Sequence, residues 1–203
     1  MIKNLLRCFL LAPLFMATTC EDDVAENMFI FNKYQVEVTP ESSFTMQDTI
    51  WIHGKVSSNV FDAAVNDSVF ISTPEPDYFS IYKFITPTQD ANCKDAIDAF
   101  ELVVDTGQFM FLPSCENGKI EAHPDLESNN ASYSYRIGLK PSSSGDFVIS
   151  LREGILENSN RNEFIIAEYP LEHHPNSIGF DSCGEVSWRD LDSSEKEYYF
   201  TVE

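Results

Sequence analysis

The chain is short of cations. Its 203 residues hold 13 Lys and Arg against 33 Asp and Glu, a net charge of −20 and a pI near 4.3. A nucleic-acid binder uses cationic side chains to displace counterions from phosphate, so this deficit excludes a general role of that kind. It also disfavours docking of the folded body on an anionic membrane. Histidine is sparse, with four residues. No Cys-x-x-Cys occurs and no Cys has a His at ligand spacing, so a zinc site is not expected. There is no Gly-x-Ser-x-Gly elbow to present a nucleophile and no Asp-x-Asp-x-Asp-Gly calcium loop. No cofactor, metal or catalytic residue is expected from these motifs. No internal repeat is found, and only one long apolar run occurs, at the N-terminus.

What is present is globular composition. Apolar residues make up 43% and charged residues 23%, which is too apolar for a disordered tail. The N-terminal run has its own logic. Lys3 and Arg7 are the only charges in the first twenty residues, where Leu5, Leu6, Phe9, Leu10, Leu11, Leu14, Phe15 and Met16 form an apolar stretch through Ala17. A short positive region before an apolar core of about a dozen residues is the pattern of a secretory signal. A spanning helix needs about 20 apolar residues, and Pro13 interrupts this one.

The stretch ends Ala17-Thr18-Thr19-Cys20-Glu21-Asp22-Asp23. Small residues just before a Cys resemble a lipoprotein signal. That resemblance implies cleavage before Cys20, a diacylglycerol on its sulfur and anchoring by two or three acyl chains. The match is relaxed, with Ala17 where Leu is usual. The acidic cluster Glu21, Asp22 and Asp23 resembles the signal by which Bacteroidota-type lipoproteins reach the outer face of the outer membrane. It implies engagement of the lipoprotein export machinery. Loss of residues 1–19 discards Lys3 and Arg7 and no anion, taking the charge from −20 to −22. The chain therefore divides into a signal over 1–19, an acidic flexible tether over 20–27 and a single folded domain over 28–203.

Cysteine use fits an exported protein. Cys8 falls in the signal and Cys20 is assigned to lipid. Cys93, Cys115 and Cys183 remain, where disulfides persist, and one pair can be chosen from them in three ways. Cys115–Cys183 is preferred, since both lie in polar, turn-like text.

The body reads as short strands. Tyr34, Val36 and Val38 alternate with Gln35 and Glu37, as Ile50, Ile52, Gly54 and Val56 do with Trp51 and His53; period two marks a half-buried strand. Met28–Val38, Asp48–Val56, Ser68–Ser72, Tyr78–Ile85, Phe100–Val104, Gln108–Leu112, Tyr133–Leu139, Phe147–Leu151, Glu163–Tyr169 and Glu197–Val202 are expected strands. Glu116-Asn117-Gly118 is an expected turn. One short helix is expected over 91–99, capped by Asp90. The fold class is all-β, an antiparallel sandwich of immunoglobulin-like or jelly-roll-like kind. About 175 residues can bury a sizeable core.

Further text places the chain in a group. Asp48-Thr49-Ile50-Trp51-Ile52, Tyr135-Arg136-Ile137-Gly138-Leu139-Lys140-Pro141, Gly145-Asp146-Phe147 and Tyr198-Tyr199-Phe200-Thr201-Val202 resemble Bacteroidota-type outer-membrane and cell-surface β-rich lipoproteins. The resemblance implies a surface β domain and hands over no catalytic residue.

Candidate sites remain modest. Asp48-Thr49-Ile50 and Asp67-Ser68-Val69 resemble the Asp-Ser/Thr-apolar sites of Bacteroidota-type O-glycosylation, which would put sugar on Thr49 and Ser68. Trp51 and Trp188 are candidate ligand platforms, since exposed aromatic rings stack on sugars; core packing is the competing reading. His53 beside Trp51 reads as strand-face packing, and His173-His174 as a surface turn. Asp125-Leu126-Glu127 and Asp190-Leu191-Asp192 offer paired carboxylates and read as solvated surface. The expected role is a lipid-anchored cell-surface protein with a non-enzymatic structural, adhesion or accessory function, located at the outer membrane through lipid on Cys20 and facing outward. The alternative is a glycan- or peptide-binding module, and a hydrolase ranks third. Its partner would be a surface protein or glycan, not nucleic acid.

Overall fold

A computed structural model describes residues 29–158, 162–190 and 196–203. The expected signal, the tether, Cys20 and the Glu21-Asp22-Asp23 cluster lie outside the described residues. No described helix is long and apolar enough to cross a membrane.

The fold is all-β and mainly antiparallel. One six-stranded sheet runs β12 (Asp125–Leu126), β13 (Ser132–Pro141), β4 (Ile50–Ser57), β2 (Gln35–Val38) and β15 (Ile155–Leu156), with β9 (Phe100–Thr106) following β12 along the same edge of β13. A nine-stranded sheet runs β17 (Glu185–Asp190), β16 (Ser177–Ser182), β8 (Cys93–Asp95), β7 (Asp77–Phe84), β14 (Gly145–Leu151), β18 (Glu197–Val202) and β3 (Ser43–Phe44). Strand β11 (Cys115–His123) joins the edge of β7 beside β8 and carries β10 (Gln108–Leu112). A small third sheet comprises β1 (Phe29–Ile30), β5 (Asn59–Asp62) and β6 (Asp67–Phe70).

The two large sheets enclose one core. Val36, Val38, Ile50, Ile52, Tyr135, Ile137 and Leu139 from the six-stranded sheet meet Phe79, Ile81, Phe147, Ile149, Tyr198 and Phe200 from the nine-stranded one. Strict alternation in β2 and β4 produces this face, buried at every second residue. The nine-stranded sheet is covered on its other side as well. Tyr82, Phe84, Val148, Ile178, Phe180 and Tyr199 form a second cluster with Ile165, so Phe147–Leu151 is buried throughout.

Several expectations need correction. Glu163–Tyr169 is not a strand: Glu163–Glu168 forms helix α1, with Asn162 Oδ1 accepting from the N–H groups of Phe164 and Ile165 at 3.1 and 3.4 Å. This N-cap decides the start of the helix, and Ile165 packs under it on the sheet. The helix over 91–99 shrinks to a 3-10 turn at Ile97–Ala99 preceded by β8. Met28–Val38 is divided between two sheets, Phe29–Ile30 in one and Gln35–Val38 in another. Glu116-Asn117-Gly118 lies within β11, where Ser80 Oγ donates to the Gly118 carbonyl at 2.6 Å.

Candidate functional site

One end of the sandwich gathers a buried carboxylate, two tyrosines and a cavity. The segment Thr73-Pro74-Glu75-Pro76 precedes β7, and its two prolines hold the chain extended. Asp77 is thereby delivered as the first residue of β7 and is 1% exposed. Its Oδ1 accepts the Tyr78 N–H at 2.9 Å, and its Oδ2 accepts the Tyr135 hydroxyl at 2.7 Å. Tyr135 lies on β13 directly across from Gly54 of β4. A Cβ at position 54 would collide with the Tyr135 ring. Glycine there is what allows the phenol to cross the strand and reach Asp77. Tyr34 flanks Tyr135, with ring centroids 5.9 Å apart, and donates its hydroxyl to the Glu75 carbonyl at 2.6 Å.

Electrostatics make this end unusual. A carboxylate can accept about four hydrogen bonds, and two donors engage Asp77 here. Burial pushes its pKa up to about 6, against the lowering effect of the Tyr135 and Tyr78 hydrogen bonds, with Glu153 adding repulsion. Burial, with the Asp77 charge behind it, also raises Tyr34 and Tyr135, so both remain neutral donors. The adjoining cavity has a volume of about 480 Å³. Asp77, Tyr34 and Tyr78 line it with Val60, Ile71 and Pro76. Glu75 and Glu153 add negative charge, and exposed Lys33 and Arg152 supply cations. An apolar hollow with a few converging polar groups and a perturbed carboxyl is the arrangement expected of a binding site.

The residues singled out from sequence fall elsewhere and are not brought together. Trp51 lies on the outer face of the six-stranded sheet. Its ring rests where a Cβ on Gly138 would come within 2.9 Å, and the Arg136 guanidinium sits 3.9 Å above the ring centroid. Arg136 is itself held by Asp105 at 3.1 Å. The indole is thus sandwiched. Trp188 belongs to β17, the edge strand of the nine-stranded sheet. It is 49% exposed, donates its indole N–H to the Asp90 carbonyl at 2.8 Å and pairs with the His174 ring at 5.2 Å. Ser68 is exposed in the small sheet, whereas Thr49 is half-buried before β4. Asp48, next to Thr49, accepts the Thr45 N–H and hydroxyl at 2.6 and 2.9 Å, which holds its carboxyl below the ordinary range.

Cys115 and Cys183 are joined in a disulfide with Cα atoms 5.9 Å apart, and Cys93 is free and buried. Asp95 lies beside the bridge, accepting the Cys183 N–H at 2.8 Å. These three side chains cluster within 4.8 Å, but the sulfurs are spent on each other and a metal requires thiolate. The paired carboxylates serve the fold. Asp125 accepts the Gly107 N–H at 3.0 Å, and Glu127 accepts Lys55 at 2.9 Å and Ser132 at 2.6 Å. Asp190 accepts the Ser177 hydroxyl at 3.0 Å, and Asp192 lies outside the described residues.

Asp77, Tyr34 and Tyr135 escape a reading of the sequence. The tyrosines look like core residues on alternating strands, and Asp77 looks like one more polar turn residue. The signal available was an acid fixed immediately before an apolar strand by Pro-Glu-Pro, which is weak alone. Compared with protein-family models, curated proteins and solved structures, the chain matches none.

Proposed function

We propose that this protein is a lipid-anchored, outward-facing outer-membrane protein with a non-enzymatic adhesion or accessory role, exercised by binding a peptide in the cavity beside Asp77. The observation that carries the binding part is a carboxylate out of solvent, with spare acceptor capacity, lining a hollow walled by Tyr34 and Tyr78. Lys33 and Arg152 also line the cavity, but neither is among the described partners of Asp77, so a Lys or Arg side chain of the peptide would take that place. Its N–H groups would make charge-assisted hydrogen bonds to Asp77, and tyrosine faces favour a cation above them. Glu75 and Glu153 extend the attraction to the cavity walls. Support for the anchor comes from the small residues before Cys20 and the acidic run after it.

Calorimetry with a short capped lysine peptide and its glutamine analogue tests the binding. The lysine peptide is expected to bind at least about 10-fold more tightly, about 1.4 kcal/mol, with the preference lost in Asp77→Asn. Equal binding of both peptides refutes the reading. Cell fractionation tests the anchor: a Cys20→Ala variant is expected to leave the membrane fraction, and its retention there contradicts a lipid on Cys20. A second reading, glycan binding, is favoured by the half-exposed Trp188 beside His174. It predicts a saturable glycan-array signal that Trp188→Ala removes.

A further inference from the structure

The small sheet carries an apolar face with no role in the core. Ile30 stands opposite Phe61, Phe61 opposite Ser68, and Asn59 opposite Phe70. Side chains alternate along strands, so Ile30, Phe61 and Phe70 share one face with Asn59 and Ser68. They are 56%, 38% and 53% exposed. The same alternation turns Asp62 and Asp67 to the opposite face, leaving this one without charge. Apolar residues scattered singly over a surface need no explanation, but three on one side of a small sheet do.

The position of this face limits what can cover it. Ile30 follows Cys20 by ten residues, a span of about 35 Å at full extension. A lipid on Cys20 would therefore hold this end of the sandwich near the bilayer. The opposite end lies beyond Phe84 of β7, about 25 Å further along an eight-residue strand. A body of charge near −22 after processing is repelled by anionic lipid, so close contact requires an uncharged face and a neutral lipid surface. We propose that the outer face of the β1–β5–β6 sheet rests in the headgroup region of a zwitterionic bilayer, with Ile30, Phe61 and Phe70 inserted. The inference rests on the lipid-anchor reading and is independent of the peptide-binding one. It is incompatible with a sugar on Ser68, which shares the face.

Spin labelling tests it on the full, acylated protein in vesicles of phosphatidylcholine and phosphatidylethanolamine. One label goes on Phe70→Cys and a control on Gln89→Cys, an exposed position at the far end. Cys93 is buried and Cys115 and Cys183 are paired, so neither competes for the label. Flotation is read first: a protein that does not float with the vesicles lacks its anchor, and both readings fall. In floated protein, the ratio of oxygen to nickel-chelate collisions is expected to be at least about threefold higher at position 70 than at 89, as for side chains sunk in the headgroup boundary. Equal ratios overturn the membrane contact and leave the anchor standing. Dipolar broadening between labels at position 70 would assign the face to a second copy of the chain and also overturn the proposal.

Discussion

Replacing Asp77 by Asn should stabilise the protein at neutral pH and leave it little changed in acid. The carboxyl titrates at about 6 in the folded chain, against an ordinary 3.8. Its folded state therefore favours the protonated form. Between roughly pH 4 and 6 the native protein binds more protons than the unfolded chain, so stability falls as pH rises through that window. Above it the whole penalty of holding a buried anion persists, about 3 kcal/mol from the separation of the two values. Asn can keep both hydrogen bonds, with Oδ1 accepting the Tyr78 N–H and Nδ2 donating to the Tyr135 hydroxyl, which rotates. Urea unfolding of both proteins, followed by far-UV circular dichroism from pH 3.5 to 8, gives the stability difference directly. The stability of Asp77→Asn relative to the parent is predicted to rise by about 3 kcal/mol across pH 4–7 and then level off. A difference that does not change with pH, or one that moves the other way, refutes the assignment of a costly buried charge. If the prediction holds, Asp77 is maintained against stability, which is expected of a residue that serves binding.

The remaining predictions concern the frame around the site. Gly54→Ala drives a methyl into the Tyr135 ring and should lower stability by about 2–3 kcal/mol through overpacking. Gly184→Ala, with open space around it but φ +83, should cost about 1 kcal/mol; thermal unfolding ranks the two, and equal effects would contradict the Gly54–Tyr135 contact. The Cys115–Cys183 bridge spans 68 residues, so its removal by paired Ser substitutions should cost about 4 kcal/mol on the chain-entropy account; an unchanged urea midpoint would contradict this. Arg189 of β17 pairs with the buried Glu197 and donates to Ser150 Oγ at 3.1 Å. Arg189→Met should cost about 2–3 kcal/mol and speed hydrogen exchange in β16 and β17, and protection equal to the parent's would dismiss that role.

Half-buried strands were the most legible part of the chain. Tyr34, Val36 and Val38, and likewise Ile50, Ile52, Gly54 and Val56, announce their inward face because polar residues alternate with them. Strands buried on both faces were recognisable as strands but not as the middle of a sandwich. Phe147–Leu151 and Tyr198–Phe200 carry apolar residues on both sides, and nothing local says that α1 and the β16–β17 hairpin supply the outer cover. The misread segments have local causes. Phe164, Ile165 and Ile166 suggest a strand by propensity, but the Asn162 cap and the packing of Ile165 override it. Asn117-Gly118 reads as a turn, yet a Cβ on Gly118 would press on the disulfide sulfurs and come within 3.2 Å of Asp95; packing, not turning, requires the glycine. The candidate site was the least legible. Asp77 and Tyr135 come from two strands and Tyr34 from the segment just before β2, and only the fold makes them neighbours.

The central claim is that Asp77 awaits a cationic side chain. Carbon-13 NMR titration of its carboxyl group, with and without the capped lysine peptide, tests this most directly. The free protein is predicted to titrate near 6, and the peptide should move that value downward, since an adjacent cation favours the ionised form. A titration that is the same with and without saturating peptide would contradict the account.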